Sequence, residues 1–138
     1  MKIALALGLA GLIPFVGLSA LITLGDSRLQ AAGAVWLAQY AAIICTFIGA
    51  FHWGIALQSA RIQTETLRLF YSVTPALYAW LALQLQTHDA LRALAACLVV
   101  CLAVDVLLQR KHPWPFWFLR LRIVLTAVAT VSLLTASL

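Results

Sequence analysis

Few side chains in this sequence could do chemistry, and those few stand inside long apolar runs. Asp105, between Val104 and Val106, is the one acid within such a run. His52 closes a glycine-bearing stretch, and Arg122 opens the last apolar segment. Tyr71, Thr74 and Tyr78 recur at i, i+3 and i+7, which puts them on one face of a helix. A carboxylate, an imidazole, a guanidinium and phenols can hydrogen-bond the polar end of a ligand, meet a charge or pass a proton. Catalysis has no comparable signal: HExxH, a P-loop and any nucleophile–base pair are absent from the sequence, so no catalytic residue is assigned. Thiolate and imidazole would suit Cu(I), and Cys45 lies seven residues before His52, but about 10 Å along a helix separates them. No metal site is expected, and Cys45, Cys97 and Cys101 read as small apolar packing residues.

The elements that position these groups are membrane spans. Of 138 residues, 64% are hydrophobic and 9% charged, against about a quarter charged in soluble domains. So few charges cannot cover a soluble surface, and the chain reads as one integral membrane domain over 1–138. The net charge of +5 does not indicate a nucleic-acid partner, because the basic residues sit in short loops beside lipid headgroups. Five helical spans are expected, at about 3–24, 33–58, 69–86, 91–108 and 119–137. The first is too long for the apolar core of a signal peptide and is read as a retained span. Pro14 predicts a kink within it, and Gly25 to Arg28 a loop after it. Arg61 and Glu65 are spaced to pair, Thr87 to Asp89 close span three, and Pro113 and Pro115 forbid a regular helix in the last loop. Trp114, Phe116, Trp117 and Phe118 suit the headgroup interface.

Within span two, Ala38, Ala42, Cys45, Gly49, His52 and Ala56 share one narrow face, where a second helix can approach closely. Five spans put the termini on opposite sides. Lys2, Arg61, Arg68, Arg110, Lys111, Arg120 and Arg122 then share a side, with Arg28 and Arg92 opposite, so the N-terminus is expected in the cytoplasm and the C-terminus in the periplasm. His52 and Asp105 come to lie roughly 9 and 6 Å below the cytoplasmic helix ends, in a layer with Tyr71, Thr74 and Arg122. A lone carboxylate costs about 3 kcal/mol at mid-bilayer. Arg122 is its expected partner, ahead of His52, since Thr126 and Thr130 continue the Arg122 face while Arg120 points to the lipid boundary.

The motifs FIGAFHWG (47–54), YSVTPALYAW (71–80) and WPFWFLRLRIVLT (114–126), with the opening LGLAGLIPF (7–15), resemble the transmembrane protein 69-like family of small multi-span proteins of inner membranes and mitochondria. The resemblance spans nearly the whole chain and implies the fold and a bacterial inner-membrane location. It implies no activity and no catalytic residues. The expected function is therefore a binding protein holding a quinone, lipid or tetrapyrrole in the cytoplasmic leaflet. The pocket residues would be His52, Trp53, Tyr71, Thr74, Tyr78, Asp105 and Arg122, with Trp80 also flanking the apolar body. An accessory or assembly subunit of a larger membrane complex, or a homo-oligomer, is the alternative. A small transporter or proton path through His52 and Asp105 is disfavoured, because no ionisable residue continues it through the opposite leaflet except at the loops and no inverted repeat is present in the sequence. A purely structural ion pair also fits the same residues.

Overall fold

The computed structural model describes residues 2–59, 62–108 and 114–138. Among them it contains helices and no strands, an all-α membrane bundle whose first span is broken in two. The break follows from Pro14. Lacking an N–H, Pro14 cannot bond the carbonyl four residues earlier, so α1 (Lys2–Ala10) stops and α2 (Ile13–Leu24) restarts around the proline. The discontinuity thus falls at Gly11 and Leu12, slightly before the expected kink. Tyr40 repairs it from the next helix: its hydroxyl donates to the Gly11 carbonyl at 2.9 Å, and its ring meets Phe15 edge-on at 5.2 Å. Tyr40→Phe is expected to cost about 1–2 kcal/mol in detergent unfolding, because a half-buried carbonyl then loses its partner. Unchanged stability would show that the break needs no such repair.

Helix α3 (Ser27–Leu57) is the central element. It begins six residues earlier than expected, since Asp26 is a cap: its carboxylate accepts from Arg28 N at 3.1 Å and Leu29 N at 3.0 Å, two donors the first turn cannot satisfy itself. The segment read as a loop from Gly25 to Arg28 is therefore mostly helix start. Ala38, Ala42, Cys45, Gly49, His52 and Ala56 are all buried, as their spacing indicates.

A 3₁₀ turn (Ile62–Glu65) leads into α4 (Thr66–Ala82). This helix starts three residues before the expected span and stops four before its end. Its buried face is Arg68, Ser72, Pro75, Ala79 and Ala82. Helix α5 (Thr87–Leu108) then takes Thr87, His88 and Asp89 into its own first turn. These residues open span four instead of closing span three. Helix α6 (Phe116–Ala136) starts directly after Pro115, a place where the missing N–H costs nothing. The expected roles of Arg61, Arg110, Lys111 and Pro113 lie outside the described residues. Glu65, expected to pair with Arg61, bonds Arg68 Nε at 2.9 Å.

Among the described residues, four segments are long and apolar enough to cross a membrane: Lys2–Leu24, α3, α5 and α6. Helix α4, with 17 residues, spans roughly 26 Å and packs against α3 and α5 as the remaining one. Helix α3 also packs on α2, while α6 closes the bundle against α1, α2 and α5. The core between them is built on Leu37, Ala41, Cys45, Leu91, Leu94, Leu98 and Leu133. At the far end Arg92 Nη2 donates to the Ser137 carbonyl at 3.0 Å, a cation at a helix C-terminus.

Candidate functional site

Three helices deliver one charged cluster. The small-residue face of α3 brings in His52, α5 brings Asp105 along the face of Leu94, Leu98 and Cys101, and α6 brings Arg122. Asp105 sits between the other two: Oδ1 lies 2.7 Å from His52 Nε2, while Oδ2 accepts from Arg122 Nε at 2.9 Å and from Arg122 Nη2. His52 is 0% exposed and Asp105 1%, and the Arg122 side chain retains 13%. A carboxylate only accepts, so Nε2 carries the proton of the His52 bond. The Asp105–Arg122 charges cancel where neither could stand alone in hydrocarbon. Arg120 points elsewhere, with its guanidinium 4.4 Å over the Phe116 ring.

Aromatic rings cover this cluster. Tyr71 meets His52 edge-on, centroids 5.0 Å apart, and Trp114 lies 5.9 Å from it on another side. Phe51 and Phe118 pack on Trp114 at 5.6 and 5.2 Å. The loop read as an interface anchor therefore also supplies a cap over His52. Among the described residues, His52 Nδ1 and Tyr71 Oη are buried without a hydrogen-bond partner. Sequence reasoning missed Trp114 in this role, and it missed Arg68, which is 3% exposed and bonded to Glu65. Arg68 could have been found: it stands four and seven residues ahead of Ser72 and Pro75, on the buried face of α4.

The seven expected pocket residues do not line one pocket. His52 and Asp105 are sealed. Arg122 borders a cavity of about 340 Å³ between α1, α2, α3 and α6, whose other walls include Gly8, Phe47, Leu121, Leu125 and Thr126 and are almost wholly apolar. Tyr71, Thr74 and Tyr78 line a separate groove of about 150 Å³ between α4 and α5, with Cys97 and Cys101. Trp53 is 46% exposed on the outside of the bundle, and Trp80 is exposed as well. A third, open basin at the opposite end includes Gln30, Gln86, His88 and Thr135. Among the described residues no group of three or more His, Cys, Asp or Glu could hold a metal ion.

The hydroxyls of α6 add one more observation. Thr23, Thr46, Thr74 and Thr135 each return their hydroxyl to the carbonyl four residues back, the usual solution for threonine in a helix. Thr126 and Thr130, which follow Arg122 on its face, have buried hydroxyls with no partner.

Comparison with known proteins matches residues 1–138 to the family model described as Protein of unknown function (DUF3429). The chain is 35% identical to Transmembrane protein 69 of Xenopus tropicalis over 133 residues, covering 96% of this chain and 52% of that protein. It is 32% identical to Transmembrane protein 69 of Mus musculus over 134 residues, covering 95% and 54%. The chain thus spans about half the length of the curated relatives it matches. No solved structure matches it.

Proposed function

We propose that this chain, which belongs to the DUF3429 family, is a membrane-embedded binding protein that holds an amphiphile in the cavity beside Arg122. The family relationship and the apolar helices make it a multi-pass membrane protein. The reading adds the ligand and an orientation, with the N-terminus and the basic loops in the cytoplasm of a bacterial inner membrane. Lys2, Arg68, Arg120 and Arg122 at one end, against Arg28 and Arg92 at the other, support that orientation.

One observation carries the reading. A cavity within the usual range for small-ligand sites, about 300–1,000 Å³, is lined by apolar side chains except for Arg122 and Thr126. The cationic group is already anchored by Asp105, so it is held in place before any ligand arrives, and that lowers the cost of binding. An apolar body along Leu121 and Leu125 with a polar end at Arg122 satisfies both parts of the wall.

The test is extraction and mass spectrometry of protein purified in mild detergent, comparing wild type with Leu125→Trp, which fills the cavity. Wild type is expected to carry an amphiphile enriched over a control membrane protein, and the folded variant to lose it. Equal recovery from both, or no enrichment at all, would refute the proposal.

A subunit role in a larger complex is the second reading. It is favoured by Gly54, which meets nothing within 4 Å beside the exposed Trp53 and Leu57. A crosslink from position 54 to a different protein in intact membranes would support it, and none would count against it.

A further inference from the structure

Building on the binding role above, we infer that the occupant of the Arg122 cavity is an uncharged amphiphile whose polar end is a carbonyl-type acceptor. The argument is a charge count along the wall. Arg122 spends Nε and Nη2 on Asp105, which leaves one amino group without a partner among the described residues, on a residue that borders the cavity. Asp105 cancels the Arg122 charge. His52, fully buried, turns Nε2 to Asp105, and its remaining ring neighbours are Phe51, Tyr71 and Trp114. Its Nδ1 meets no acceptor among the described residues, so a second N–H on that ring would stand unpaired in the core. Among the described residues, the buried Arg68 meets Glu65 at 2.9 Å.

The wall therefore offers a hydrogen-bond donor but no net charge. An anionic head would introduce an uncompensated charge among Gly8, Phe47, Leu121 and Leu125, where little screens it. A cationic head would face the guanidinium with no acceptor of its own. A neutral carbonyl oxygen takes the spare N–H, a charge-assisted bond, without either cost. Thr126 stands one turn from Arg122 on the same wall, its hydroxyl buried and without a partner among the described residues, a second group able to donate. Two sources share this chemistry: the ester carbonyl of a lipid chain and the ring carbonyl of a small apolar molecule such as a quinone.

The experiment uses the full chain, delipidated in detergent, and binding of four probes read by mass spectrometry after repurification: methyl myristate, a decyl benzoquinone, tetradecanesulfonate and tetradecane. At least one carbonyl probe is expected to bind about tenfold more tightly than both the sulfonate and the hydrocarbon, the worth of one charge-assisted hydrogen bond. Whichever carbonyl probe is preferred names the source. The charge-neutral double variant Asp105→Asn with Arg122→Gln is expected to narrow that gap, while its retained tetradecane binding reports an intact cavity. Sulfonate binding equal to or above the ester, or tetradecane binding equal to it, would overturn the inference and leave the binding role standing. Failure of all four probes would overturn the binding role itself.

Discussion

Asp105→Ala is expected to cost about 3–5 kcal/mol, the usual result of stripping one partner from a buried ion pair. Arg122 then keeps its charge with 13% of its side chain exposed and has no carboxylate to meet. His52 Nε2, held at 2.7 Å from Asp105, loses its acceptor at the same time, a further loss of about 1–3 kcal/mol. Against a total stability on the order of 5–15 kcal/mol, either loss is large, and the variant should accumulate poorly. The sharper measurement is the double variant Asp105→Leu with Arg122→Leu, unfolded in detergent beside each single one. Removing both charges should recover most of the lost stability, because the penalty comes from the orphaned partner and not from the missing pair. A double variant as unstable as Asp105→Ala, or a single variant as stable as wild type, would refute the cluster's place in the fold.

Gly49→Leu is expected to have an effect of similar size through packing alone. A Cβ built at Gly49 lies 2.3 Å from the Ser72 carbonyl oxygen and 3.3 Å from Pro75 Cδ. The first neighbour is backbone, so no rotamer change relieves the clash and α3 must part from α4. Overpacking costs about 1–3 kcal/mol where side chains can adjust, and this site offers less adjustment than that. The His52–Tyr71 contact lies one turn farther along the same crossing and should loosen with it. Gly54→Ala is the control: nothing lies within 4 Å of its Cβ position, and replacing a helical glycine gains up to about 1 kcal/mol. Thermal unfolding of both variants in one detergent separates the two sites. Equal stabilities would mean that the α3–α4 crossing is looser than the geometry indicates.

Much of this arrangement was legible in the residues. Spacing alone identified the α3 face from Ala38 to Ala56, because a close helix crossing needs small side chains at helical intervals. The Asp105–Arg122 pair followed from the cost of a lone charge in lipid. Helix ends were less legible: Gly25 to Arg28 look like loop until Asp26 is recognised as a cap, and Thr87 to Asp89 are as polar as a turn. The distribution of the residues from His52 to Arg122 over a sealed cluster, a cavity and a groove was illegible for another reason. Depth along a helix can be counted from sequence, but the direction around the bundle depends on which neighbour each face meets. Tyr71, Thr74 and Tyr78 do share a face, yet that face borders the groove between α4 and α5, whereas Arg122 borders the cavity between α1, α2, α3 and α6. Tyr40 and Trp114 were out of reach, since their partners Gly11 and His52 are set by tertiary packing.

The position of the ion pair also bears on how the chain enters a membrane. Asp105 and Arg122 stand on consecutive helices, 17 residues apart. Inserted one at a time, α5 and α6 would each carry an uncompensated charge into the hydrocarbon, at about 2.5–3.5 kcal/mol if at mid-depth. Inserted together as a helical hairpin, they carry none, because each neutralises the other before any third helix is needed. The cheapest route of biogenesis therefore delivers α5 and α6 as a unit, and His52 joins them when that hairpin docks on α3.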